Sequence, residues 1–400
     1  MDRARTRAVV DAAGLGRGPL GASPPGSAPL RAHRGADRGL SGRADPGGNA
    51  ARFADRQLIA GRRFQGHLGA GPGVIMILAR HAEALLWAGR YLERAENTSR
   101  CLNYAANSIT HLRAEEARVE SELLVRTLGL TEELEAAGPL ESRPQMIAFL
   151  LSDSDNPGSV VSSVSAVREN LRSVRDRIPI ELWEEANGLY LRFPFLGHAN
   201  DAPKELHEVL LMVRRACLAV SGVLNEGMRR DEGHALLVVG RMLERSIFTV
   251  NLLEASYSDP RGALDASRML RLTSSTQAYH RQHGNAPDFE GVVRYLLHAA
   301  DLPRSVRSCL SHAEESLNSL ASGASALDRP RQRTALVRSR LEFGDIADAL
   351  ASAPVQTLSE LALELAALAD DVQAGIVPPL ALAEIHSQYL RPGPADGAAS

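Results

Sequence analysis

The chain has 400 residues, 44% of them hydrophobic and only 4% aromatic, so its core must be built from Leu, Val and Ala rather than from rings. A charged fraction of 23% and a formal charge of −3 exclude collagenous, disulfide-dense and wholly disordered classes, and a basic coat for nucleic acid. Cys101, Cys217 and Cys309 form no C-x-x-C pair and read as reduced, mostly buried thiols of a cytoplasmic protein. No uncharged apolar run approaches the roughly 18 residues that a membrane span requires.

Residues 1–73 form the first unit. They hold 15 of the 33 glycines and 6 of the 21 prolines, with twelve arginines against five aspartates and no glutamate, a net of about +7. Without helical or alternating apolar period, such a stretch cannot bury enough surface to offset its ordering entropy, and a disordered extension is expected. A flexible basic tail, a transit peptide and a start placed too early compete as explanations. The last is favoured, with the true start at Met76, directly before the first well-patterned helix.

From Met76 the apolar period is 3.6 almost throughout. Ile77, Ala84, Ala88, Leu92, Ala95 and Leu102 line one face of the segment Ile77 to Leu102. Asn156-Pro157 reads as an N-cap followed by Pro at the first helical position, opening a helix striped by Val160, Val164, Val167, Leu171 and Val174. Pro179 restarts a short helix, Ile180 to Tyr190. Residues 204–229, 231–256, 262–282, 288–300, 303–321, 332–350 and 357–375 are each expected as one helix, with Pro and Gly in the breaks. The pattern is all-α.

The pattern also repeats. Gly89-Arg90-Tyr91-Leu92-Glu93-Arg94 with Thr98 returns as Gly240-Arg241-Met242-Leu243-Glu244-Arg245 with Thr249, at an offset of 151. Pro157-Gly158-Ser159-Val160 returns as Pro303-Arg304-Ser305-Val306, at an offset of 146. The stripe transfers too, onto Val306, Leu310, Ala313, Leu317 and Leu320. Two blocks in one order predict a multi-helix bundle of two diverged tandem repeats, about 76–225 and 226–392, in a pseudo-twofold relation. Opposite the aliphatic face of the first repeated helix, Arg80, Glu83, Trp87, Arg90, Arg94 and Asn97 form a polar stripe flanked by Glu93. Its counterparts are Asp231, His234, Val238, Arg241, Arg245, Phe248 and Glu244. So many charges on a helix of small apolar residues predict a partly buried seam in which Arg and Glu pair.

These residues carry a resemblance. The run from Ile77 to Thr98, ILARHAEALLWAGRYLERAENT, resembles the opening helix of the bacterial alpha-E domain family. Asp155-Asn156-Pro157-Gly158-Ser159, Arg168-Glu169-Asn170-Leu171-Arg172, Trp183-Glu184-Glu185-Ala186-Asn187 and Leu302-Pro303-Arg304-Ser305-Val306 resemble its further signatures in the same order. The likeness runs from Met76 to about Arg391; a tryptophan usual near position 121 is replaced by Ser121. What it implies is an all-helical domain accompanying circularly permuted ATP-grasp proteins, transglutaminase-like proteins and a proteasome-like peptidase. The expected role is an accessory component of a peptide-ligation or peptide-modification system, with an ATP-grasp ligase-like partner and a transglutaminase-like protein as a second candidate.

Two readings of the seam follow. Glu93 and Glu244 could act as general acid and base in forming or cleaving an amide, with Arg90, Arg94, Arg241 and Arg245 gripping an anionic substrate. Alternatively, the charges form a structural network that locks the two matching helices together; Arg and Glu lie three apart or adjacent within each motif, so local pairing is easy as well. Glu83, Trp87, Asn97 and Arg304 complete the candidate binding residues. Asp231-x-x-His234 faces Arg80-x-x-Glu83 in the repeat, which is no di-metal motif, so neither metal nor cofactor is expected. Ser159 and Ser305 read as helix caps rather than nucleophiles, because no His–Asp arrangement accompanies them. Arg168, Arg172 and Arg175 read as a solvated or inter-helix face. Neither nucleic acid nor membrane is an expected partner.

Overall fold

The computed structural model describes residues 77–108, 113–140, 142–193, 203–259, 265–284, 286–320 and 325–376; the extension expected over 1–73 lies outside them. Among the described residues there are fifteen α-helices and no strand. The first is α1 (Ala79–Ser108), followed by α2 (Ala114–Thr127), α3 (Thr131–Ala137), α4 (Arg143–Leu151), α5 (Val160–Arg172), α6 (Ile180–Arg192) and α7 (Pro203–Glu226). After these come α8 (Glu232–Tyr257), α9 (Ala266–Leu272), α10 (Thr276–His283), α11 (Phe289–His298), α12 (Val306–Ser319), α13 (Asp328–Phe343), α14 (Asp345–Ser352) and α15 (Pro354–Ile376).

The two long helices α1 and α8 pack against each other at the centre. On α1 lie α5 and α7, with α6 packed against both; on α8 lie α12 and α15, with α13 packed against both. Each arrangement follows from the aliphatic stripes. Val160, Val164, Val167, Leu171 and Val174 are buried, as are Val306, Leu310, Ala313, Leu317 and Leu320 at the matching positions. Each such Leu or Val stabilises the bundle by roughly 1.5–3 kcal/mol relative to exposure, so five on one face commit a four-turn helix to its neighbour. In place of aromatic bulk, the centre relies on small residues and close helix approach.

Three local expectations are corrected. The cap of α5 is Ser159, whose Oγ accepts from the Ser162 backbone N–H at 3.1 Å. Asn156 instead closes the preceding turn, accepting from the Gly158 N–H at 2.9 Å and donating to the Phe149 carbonyl at 2.8 Å. Residues 262–282 do not form one helix. The Ser275 N–H turns back to the Leu270 carbonyl at 2.8 Å, and Ser274 adopts a left-handed backbone with φ 54°, separating α9 from α10. Residues 332–350 break likewise at Gly344, whose φ of 97° suits glycine alone.

Candidate functional site

The α1–α8 crossing is set by two glycines. A Cβ on Gly89 would overlap the Leu237 carbonyl oxygen, and one on Gly240 would overlap the Leu86 carbonyl oxygen. Leu237 and Leu86 are themselves matching positions at the offset of 151. Only glycine lets the two backbones come this close.

Close approach brings the charged motifs within reach of each other, and they pair across the helices. Arg90 donates its Nε to Glu244 Oε2 at 2.9 Å and Arg94 its Nε to Glu244 Oε1 at 2.7 Å. Reciprocally, Arg245 donates Nε and Nη2 to the two oxygens of Glu93, at 2.8 and 2.6 Å, while Arg241 stands 3.6 Å from the same carboxylate. The expected seam is present. Its ion pairs are not the local ones that sequence spacing makes easy, because each carboxylate turns away from its own turn toward the facing helix. One turn further on, Thr98 Oγ1 donates to the Gly158 carbonyl at 3.0 Å, and Thr249 Oγ1 to the Arg304 carbonyl at 3.2 Å. These two carbonyls precede the matched caps Ser159 and Ser305, which accept from Ser162 N–H and Ser308 N–H, each at 3.1 Å.

Burial and charge decide what the glutamates can do. Glu93 is fully buried, and the Glu244 side chain is 12% exposed. Burial alone would raise the Glu93 carboxyl, but Arg245, Arg304 and Arg241 outweigh it and hold it far below the ordinary carboxylate range. Glu244 is likewise penalised by burial and then held low by Arg94 and Arg90. Arg245 is lowered by burial but raised more by Glu93. A carboxylate whose oxygens are occupied by guanidinium N–H groups and whose proton affinity is depressed makes a poor general base or acid near neutral pH.

The other candidates occupy the margins. Arg304, at the turn leading into α12, donates Nη1 to Glu93 at 3.0 Å and to Asn97 Oδ1 at 3.2 Å, and Nη2 to Glu96 at 2.5 Å. Trp87 is half-buried beneath Arg90, whose guanidinium lies 4.6 Å from its ring, and Arg94 covers Tyr91 at 5.3 Å. Glu83 is half-buried, with its carboxyl raised by burial, and Arg80 is exposed. Asp231 caps α8 through the His234 N–H at 3.1 Å. Arg168 and Arg175 pack over Tyr190 and Trp183, whereas Arg172 reaches solvent.

Three residues at this place escaped the sequence reading: Glu96, Arg100 and Arg214. Arg100 donates Nη2 to Glu96 and Nη1 to Ser274 Oγ. For Glu96 and Arg100 the signal was their i, i+4 spacing one turn beyond the repeated motif, whereas Arg214 carries no such local signal. The three cysteines are buried, and burial pushes the Cys101 and Cys309 thiols up to about 12 and about 11. Such thiols are poor nucleophiles and metal ligands.

Two clefts open elsewhere. One, of about 390 Å³, lies between α6 and α7 and is lined by Glu185, Arg192, Glu208, Leu211, Met212 and Arg215; another, of about 380 Å³, lies beside α4. Neither is lined by Glu93 or Glu244. Among the described residues no three His, Cys, Asp or Glu side chains gather as a metal site, and no helix is long and apolar enough to cross a membrane.

Residues 77–375 match a family model described as a predicted alpha-helical domain with a conserved ER motif. The repeated Glu93-Arg94 and Glu244-Arg245 pairs are Glu-Arg dipeptides of that kind. Uncharacterised proteins of Mycobacterium bovis and Mycobacterium tuberculosis are each 28% identical to the chain over 281 residues, covering 64% of this chain and 31% of theirs. The chain thus spans about a third of the length of those relatives. No solved structure matches it.

Proposed function

Because the chain belongs to the Alpha-E family, we propose that it is a non-catalytic, accessory component of a peptide-ligation or peptide-modification system, binding an ATP-grasp ligase-like partner or that partner's peptide. The observation that carries the non-catalytic part is the occupation of both motif glutamates by arginines of the opposite helix. A residue needed for acid–base work must change its protonation during turnover, and these two are held ionised. The partner follows from the resemblance of the opening helix and the later signatures, and it is independent of the seam's geometry. The same reading makes the chain two fused copies of one helical unit, about 76–225 and 226–392. Matching contacts at matching positions support it: Gly89 against Leu237 and Gly240 against Leu86, Glu93 with Arg245 and Glu244 with Arg94, and Thr98 with the Gly158 carbonyl and Thr249 with that of Arg304.

The test is co-purification with an ATP-grasp ligase-like protein of the same cell, followed by a reconstituted ligation assay with wild type and Glu93→Gln. A stable complex, with product formation falling only as far as the variant loses folded protein, is the expected result. An unchanged melting temperature with abolished ligation would return the chemistry to Glu93. Failure of the two proteins to associate would remove the partner.

A further inference from the structure

The Glu93 end of the crossing carries more positive charge than the pairing of the helices requires. At the Glu244 end two arginines suffice for one carboxylate, and the following matched positions are Ile247, Phe248 and Asn251, with Gly158 opposite. At the Glu93 end the same positions are Glu96, Asn97 and Arg100, with Arg304 opposite. Four guanidiniums, those of Arg100, Arg241, Arg245 and Arg304, therefore share two buried carboxylates, Glu93 and Glu96. Next to Cys101 a further buried group pairs Arg268 with Glu120 at 3.5 Å and Asp259 at 3.7 Å, one acid in excess, while Arg214 of α7 adds one more cation near Arg100. Counted either way, two positive charges are left over among the described residues.

Uncompensated buried charge is expensive, and the chain shows it. Burial, together with Arg304 and Arg214, pulls Arg100 down to about 10 despite Glu96 and Glu93. Burial and Arg245 likewise pull Arg241 down despite Glu93. Arg241 is 3.6 Å from Glu93, whereas its counterpart Arg90 is 2.9 Å from Glu244. Hydrogen-bond donors are left over as well. Arg241 Nε, Arg100 Nε, Arg214 Nε and Asn97 Nδ2 are buried without a partner among the described residues. Arg100, Arg241 and Asn97 are each more than nine-tenths buried. The cluster meets the surface at Ser274, an exposed residue held in its left-handed conformation beside the Arg100 guanidinium.

We infer that this cluster, formed by Arg100, Arg214, Arg241 and Arg304 with Asn97, is a binding site for a phosphoryl group. Guanidinium forks match its oxygens, and a phosphate monoester carries about −1.5 to −2 charges at neutral pH, which neutralises the surplus of two. A carboxylate would neutralise half of it. The inference holds whether or not the ligase partnership does.

Isothermal titration of the full chain with inorganic phosphate and with methyl phosphate, at constant ionic strength, tests it. Saturable binding of either is expected; tighter binding of the methyl ester assigns the site to an esterified phosphate, tighter binding of the inorganic ion to free phosphate. Arg214→Gln, a half-buried position chosen because the fold should tolerate it, and Arg304→Gln should each weaken binding about tenfold, while the exposed Arg172→Gln leaves it unchanged. In a thermal melt, phosphate should raise the midpoint of wild type more than that of Arg304→Gln at the same concentration. Absence of saturable binding, equal binding of acetate, or undiminished binding by both variants would overturn the assignment.

Discussion

The two ends of the α1–α8 crossing solve one problem in different surroundings. At the Glu244 end a single carboxylate takes two arginines whose side chains are 13% and 21% exposed, and those arginines also rest on Trp87 and Tyr91. At the Glu93 end the carboxylate is fully enclosed by three arginines and a second buried acid stands one turn away. The first arrangement is what helix pairing alone needs. The second is that arrangement plus an additional cationic cluster, so the same motif serves as a structural pairing at one end and as the wall of a candidate site at the other.

Unequal surroundings predict unequal costs. Removing the Glu93 carboxylate strands the enclosed arginines, so Glu93→Ala should destabilise the chain by about 3–5 kcal/mol. Glu244→Ala should cost about 2 kcal/mol, because Arg90 and Arg94 keep some access to water and to aromatic faces. Denaturant melts of both variants measure the gap, and equal losses would erase the distinction between the ends. The acid limb of stability belongs to the same pair. Both carboxyls are lowered on folding from about 4.5, so their contribution is complete above that pH and is lost progressively as pH falls below it. Glu93→Gln should flatten that limb more than Glu244→Gln does.

A second pair of variants probes the symmetry rather than the difference. Gly89→Ala and Gly240→Ala each place a Cβ against a backbone carbonyl of the facing helix, and each should cost about 2–3 kcal/mol, by similar amounts. A large loss at one glycine and none at the other would argue against a reciprocal crossing. The smallest expected effects are those of the matched caps. Ser159→Ala and Ser305→Ala should each lose about 1 kcal/mol, measurable as small shifts in the denaturation midpoint, with ligand binding left intact.

Legibility in the sequence followed the range of the interaction. Helical stripes such as Val160 to Val174 could be read directly, because burial of every third or fourth residue is a property of one helix. The cap of α5 was readable only in part, since Asn156 competes with Ser159 for that place, and the break at Ser274 was not readable at all, since no glycine or proline marks it. The seam itself was foreseen from the charge density around Glu93 and Glu244. Pairing between the two repeated helices is part of that expectation, and the cross-helix contacts of Glu93 and Glu244 bear it out, although the spacing of Arg90 and Glu93 permits local pairs as well.

By itself, then, the order of residues determined an all-helical chain, the stripes that drive its helices together, and the recurrence of one charged motif at an offset of 151. Only the tertiary structure decided that Gly89 and Gly240 each meet a backbone carbonyl of the facing helix, and that Arg100, Arg241 and Arg304 converge from three separate elements. Periodicity is a one-helix quantity that a linear pattern records. Convergence depends on how closely two backbones approach, and that distance is set by side chains far apart in the chain.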